Sequence, residues 1–244
     1  MKYKIKLFLF ILILFQSKLI LSQNLNFEES NLNSLPEFIF NDVKDSIVRV
    51  SVTIQDNSNS VFNSKKELGV GIIYNADGLI IINSYALRKY TSDFEITFTN
   101  GKSLPAKLVS VDSKKNIAIL KTSTIINNKP VSIPYNTKLS IGNFLILITD
   151  NRKETTQNTL TLISKININE EIYPQIENSP RESLLISSRT RITPDPGLLF
   201  NTRGEFIGFS YIYFVDDIYT NKFAIAFYIL DLKSIINEIK VKDE

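Results

Sequence analysis

The chain is built from short apolar runs rich in β-branched and aromatic residues, broken again and again by turn chemistry. Such runs span Ser46 to Ile54, Gly69 to Tyr74, Leu79 to Asn83, Glu95 to Thr99, Ala106 to Val111, Ile117 to Lys121, Phe144 to Thr149, Leu160 to Ile166, Leu184 to Ser188, Gly197 to Asn201, Phe206 to Tyr213 and Phe223 to Phe227. Many short strands at close spacing predict an all-β fold, a sandwich or a pair of barrels. The punctuation agrees. Asp77-Gly78, Asn100-Gly101 and Arg203-Gly204 sit between apolar runs, where glycine supplies the positive φ that tight hairpins demand.

The remaining segments divide the chain. Residues 23–44 hold a polar, Asn- and Ser-rich stretch that reads as a poorly ordered lead-in. The polar stretch Thr122 to Pro134 separates an N-terminal barrel over 45–128 from a C-terminal barrel over 129–230. After Asp231, a helix cap by type, Leu232, Ile235, Ile236 and Ile239 fall at helical spacing and predict a C-terminal helix over 231–244. Gln55 to Glu67 and Asn167 to Glu182 are polar and long for β-connections.

The first residues predict export. Lys2, Lys4 and Lys6 precede the apolar run Leu7 to Phe15, which is shorter than the ~20 residues of a membrane span, and Ser22 suits a signal peptidase. A signal peptide over 1–22 is expected, and an uncleaved anchor is the alternative. Its removal takes four lysines and no acid from a formal charge of +3, leaving −1. No basic stripe with interleaved aromatics is present, so a nucleic-acid partner is not expected.

There is no cysteine and no histidine. Disulfides, thiol nucleophiles and the usual ligands of zinc, copper and haem are therefore excluded, and no D-x-D-x-D-G calcium loop replaces them. No cofactor or metal is expected.

Several segments, in order, carry a resemblance. Gly69-Val70-Gly71-Ile72-Ile73-Tyr74-Asn75-Ala76-Asp77-Gly78-Leu79-Ile80-Ile81-Ile82-Asn83-Ser84-Tyr85-Ala86-Leu87 resembles the G-S-G-F-I-I-x-x-D-G-x-I-x-T-N-x-H-V-V segment of HtrA-type bacterial serine proteases. Phe94 to Thr122 looks like that family's strand, hairpin and D-x-x-x-D-L-A-V-L-K-I segment, and Leu139 to Ile148 is similar to its L-x-V-G-D-x-V-x-A-I. Leu185 to Pro194, Asn201 to Phe209 and Lys222 to Ala226 resemble the blocks around and after the nucleophile. The resemblance covers nearly all of residues 45–240 and implies a trypsin-like double β-barrel.

It also implies what has changed. The family's histidine base stands at Tyr85, the aspartate that orients it at Asn116, and the nucleophile region reads Asp195-Pro196-Gly197, two residues shorter. A phenol with pKa near 10 stays protonated and cannot act as the base. Asn116 carries no charge to stabilise an imidazolium, and Pro196 offers no N–H to an oxyanion hole. The reading is a catalytically inactive homologue, a pseudoprotease with degenerate positions Tyr85, Asn116 and Asp195. Its expected role is to bind protein or peptide partners in the periplasm or cell envelope as scaffold, adaptor or chaperone-like module. By resemblance the peptide would pair with an edge strand at Ser210, Tyr211, Ile212 and Tyr213. Two alternatives stand beside it: a hydrolase using an unconventional nucleophile such as Ser187 or Ser188, and a structural subunit that assembles with an active homologue. Homo-oligomers are compatible with either.

Overall fold

The structure is a computed structural model that describes residues 32–54, 64–87, 90–112, 116–134, 138–151, 155–166, 183–188, 197–211 and 223–228. The signal sequence expected over 1–22 and the helix expected from Asp231 lie outside these residues.

Helix α1 (32–43) runs through a 3-10 turn, Lys44–Ser46, into the first strand. Six strands follow: β1 (Ile47–Ile54), β2 (Ser64–Ile73), β3 (Leu79–Asn83), β4 (Phe94–Phe98), β5 (Ser103–Asp112) and β6 (Ile117–Thr122), with the one-turn helix α2 (Ser84–Leu87) after β3. A second six come after residues 123–143: β7 (Phe144–Asn151), β8 (Thr155–Ile166), β9 (Ser183–Ser188), β10 (Gly197–Asn201), β11 (Phe206–Tyr211) and β12 (Phe223–Tyr228). Each set closes into an antiparallel barrel, in the orders β1-β2-β3-β6-β5-β4 and β7-β8-β9-β12-β11-β10. Adding six to each strand number turns one order into the other.

Period-two alternation explains both barrels and their junction. In β3, Ile80 and Ile82 fill the first barrel with Phe94, Ile96 and Leu120, while Leu79 and Ile81 face the opposite way. The second barrel repeats the division: Leu145, Leu147 and Leu199 point inside, and Ile146, Ile148, Leu198 and Phe200 point out. The outward sets of both barrels form one shared core, so every residue of Leu-Ile-Ile-Ile-Asn in β3 is buried. Phe206 joins it edge-on to Phe200 and Phe209, with ring centroids at 5.8 and 5.2 Å.

Part of the expected lead-in is structured. Leu35, Ile39, Phe40 and Val43 of α1 lie on one face and pack into the shared core, with Ile39 and Val43 buried. The polar composition of residues 23–37 conceals this amphipathic spacing, which burial against two barrels at once makes decisive. The polar connection expected from Gln55 to Glu67 also shortens, because β2 begins at Ser64 and pairs with β1 as far as Ile54.

The hairpin at Asp77-Gly78 is held from three sides. Gly78 has φ +94, its carbonyl accepts the Thr122 N–H at 2.9 Å, and the Asn75 side chain accepts the Leu79 N–H at 3.1 Å. A Cβ at Gly78 would collide with the Thr122 hydroxyl.

Candidate functional site

The end of β3 and the start of β6 build one corner. Their register pairs Asn83 with Ile117, so the residues that follow Asn83 and precede Ile117 become neighbours. The Ser84 N–H donates to the Asn116 carbonyl at 3.1 Å, which ties the first turn of α2 to the turn before β6. Leu87, buried in the first barrel, anchors the other end of α2, and its carbonyl accepts the Tyr90 N–H at 2.9 Å. Tyr85 and Asn116, far apart in sequence, therefore share this corner. Asn116 is half-buried with φ 54, a left-handed conformation that asparagine tolerates better than most residues. Ile117, the next residue, belongs to the shared core, which sets the corner at the rim of the junction between the barrels.

The third expected position, Asp195, lies outside the described residues, as do Ile212 and Tyr213. Ser187 lies on β9, half-buried, with its hydroxyl 2.8 Å from that of Ser164 on β8. This pair contains no base. Among the described residues no cluster of acidic groups is arranged to hold a metal ion.

Ser210 requires a correction. It was expected on an exposed edge that accepts a peptide, but it is fully buried and β11 is paired on both sides there, to Gly197 of β10 and Ala226 of β12. Barrel closure removes the edge. Its hydroxyl accepts the Gly197 N–H at 2.9 Å, a buried contact that local pattern could not foretell. Gly197 is needed for that approach, since a Cβ would meet Leu147 and Thr149 at 2.7 Å and the Ile148 carbonyl at 2.8 Å. Tyr211, the last described residue of β11, pairs with Ile225.

Two carboxylates stand out electrostatically. Glu95 on β4 is held below the ordinary glutamate range first by the hydrogen bond from Lys65, at 2.5 Å, and further by Ser103 and Thr97, against a smaller opposing effect of burial. Glu205 is lowered first by the Asn201 amide at 2.6 Å and then by Arg203, again against burial. Both brace hairpins and neither lies in the α2 corner.

No protein-family model matches the chain. Among curated proteins it is 26% identical over 179 residues to a pro-apoptotic serine protease of Vanderwaltozyma polyspora, covering 70% of this chain and 18% of that one. It is 23% identical over 155 residues to a probable periplasmic serine endoprotease, DegP-like, of Buchnera aphidicola, covering 62% and 31%, and 27% identical over 149 residues to another of Halomonas elongata, covering 59% and 29%. The chain thus spans less than a third of the length of these relatives. Their names overturn the expectation that the chain is not an enzyme: the proteins it matches are serine proteases and endoproteases. The missing imidazole shows which base is unavailable, and it does not by itself remove the chain from a protease class.

Proposed function

We propose that the chain, similar to DegP-like serine proteases over 59–70% of its length, is an exported protein of the periplasm or cell envelope whose work is to engage polypeptides. The observation that carries this reading is the corner of α2 and Asn116 at the rim of the core shared by two barrels. The DegP-like relatives, named as periplasmic endoproteases, support polypeptide as the ligand class and the envelope as the compartment. The basic, then apolar, start of the sequence supports export. Ser210, fully buried, is not part of the polypeptide contact.

The test is to incubate the purified chain with a diverse peptide pool and identify by mass spectrometry what is retained and what is cut. Retained peptides, whole or cleaved, support the reading. A pool that is neither bound nor cleaved overturns it. If cleavage occurs, labelling with a fluorophosphonate reads whether a serine is the nucleophile, Ser187 and Ser188 included.

A further inference from the structure

Helix α1 and residues 126–133 meet both barrels at once. Through Leu35, Ile39, Phe40 and Val43, α1 lies in the core to which each barrel contributes. Its polar edge and the 3-10 turn that follows reach the same hairpin of each barrel. The Asp45 carboxylate accepts the Thr99 hydroxyl at 3.4 Å, at the β4–β5 turn. At the equivalent β10–β11 turn, Gly204 sits so close beneath α1 that a Cβ would come 3.1 Å from the Asp42 carboxylate and 3.4 Å from Val43.

The connecting segment is tied in the same double manner. The Ile126 N–H donates to the Ala76 carbonyl and the Val131 N–H to the Ile73 carbonyl, both at 2.8 Å and both on the first barrel. One residue later the direction changes. The Ser132 carbonyl accepts the Phe206 N–H at 2.8 Å, and Ser132 forms a parallel bridge with Glu205 of the second barrel. The segment also grips α1 and the turn after it: Lys129 pairs with Asp42 at 3.0 Å, and the Asn128 amide donates to the Asp45 carbonyl at 3.2 Å.

We propose that α1 and residues 126–133 form a single latch that sets how the two barrels sit against each other, so that lifting α1 releases the equivalent hairpins of both barrels together and shifts the α2 corner relative to the second barrel. The physical basis is that closely packed interfaces move between discrete arrangements rather than deform continuously. Each barrel is closed by its own strand ladder. Among the described residues, the junction has no strand ladder of its own beyond the bonds of Val131 and Ser132. Helix α1 directly follows the N-terminal segment, so an event that captures that segment acts on the latch first.

The test is residue-resolved hydrogen exchange on the full chain, comparing wild type with Ile39→Ala/Val43→Ala. The amides of Val131 and Phe206 should exchange at least about tenfold faster. Amides within the ladders, such as Ile81 in β3 and Ile119 in β6, should keep their protection. Two results overturn the proposal: α1 frays while Val131 and Phe206 are unchanged, or protection falls uniformly through both barrels. Should the double variant fail to fold, Asp42→Ala provides the same reading, because it removes only the Lys129 contact and the cover over Gly204. It should accelerate Val131 and Phe206 in the same direction by a few-fold, and equal exchange in wild type and Asp42→Ala would then reject the latch.

Discussion

The two barrels have one wiring diagram and two sets of duties. Strand for strand, β1 to β6 pair as β7 to β12 do, and even the hairpins β4–β5 and β10–β11 correspond, each turning on a left-handed glycine, Gly101 at φ +81 and Gly204 at φ +74. Yet Gly101 faces open space, while Gly204 is roofed by α1. Among the described residues, the first barrel carries a helical turn after β3 that builds the α2 corner, and the second supplies an aromatic trio, Phe200, Phe206 and Phe209, to the junction. Wiring is set by ladder hydrogen bonds and alternation. What each barrel does depends on what leans against it from outside.

The largest effects should come from truncating one phenylalanine in each setting. Phe94 lies in the first barrel's own interior and Phe206 in the shared core. Removing either ring should destabilise by about 3–5 kcal/mol. Calorimetry separates them: Phe94→Ala should lower one joint transition, whereas Phe206→Ala, by loosening the junction, should split the trace into two. Two traces of the same shape would mean that the barrels are not distinct in the way their cores suggest.

Glycine substitutions come next. Gly78→Ala meets two penalties, a left-handed backbone of roughly 1–2 kcal/mol and the collision with Thr122, which adds overpacking of about 1–3 kcal/mol. Gly197→Ala meets only the second kind, against Leu147, Thr149 and the Ile148 carbonyl. Urea unfolding should therefore rank Gly78→Ala below Gly197→Ala in stability. The hairpin pair offers a finer contrast. Gly101→Ala should lose only the backbone share, about 1 kcal/mol, and Gly204→Ala somewhat more because it pushes on Asp42. Equal losses would show that α1 gives way without resistance.

How far the sequence already contained this molecule depends on the range of the force involved. Leu79–Asn83 and Gly197–Asn201 are legible as strands with their bounds, because apolar runs between turn residues are local signals. The meeting of Ser84 and Asn116 at one corner follows from the β3–β6 register, and no periodicity in the sequence connects the two segments. Helix α1 is not legible in the sequence, although Leu35, Ile39 and Val43 repeat at a spacing of four, since asparagine and serine around them dilute the pattern and the decisive burial is tertiary. The burial of Ser210 is hidden from the sequence for a related reason. A strand's sequence shows which faces are apolar but says nothing about whether its two edges are taken, and here closure of the barrel takes both.

The smallest and last contrast is acid sensitivity. Glu95 and Glu205 both have folded-state pKa values below the ordinary one, for the same physical reason in different barrels: donors gathered round a carboxylate, Lys65 first in one case and Asn201 first in the other. A depressed folded pKa contributes stability that is present above the unfolded value, about 4.3, and is lost as pH falls through the folded value. Both glutamates should therefore stabilise at pH 7 and stop doing so in acid. Solvent screening keeps each contribution within about 0–1 kcal/mol. The two should differ in size. Side-chain exposure is 37% at Glu95 and 22% at Glu205, so water and salt weaken the Lys65 pair more than the Asn201 and Arg203 contacts. Urea unfolding of Glu95→Gln and Glu205→Gln against wild type should show a larger loss for Glu205→Gln at pH 7, and both losses should vanish near pH 2. Added salt should shrink the Glu95 effect first. A reversed order would place the better-shielded carboxylate in the first barrel, and with it the firmer of the two hairpins.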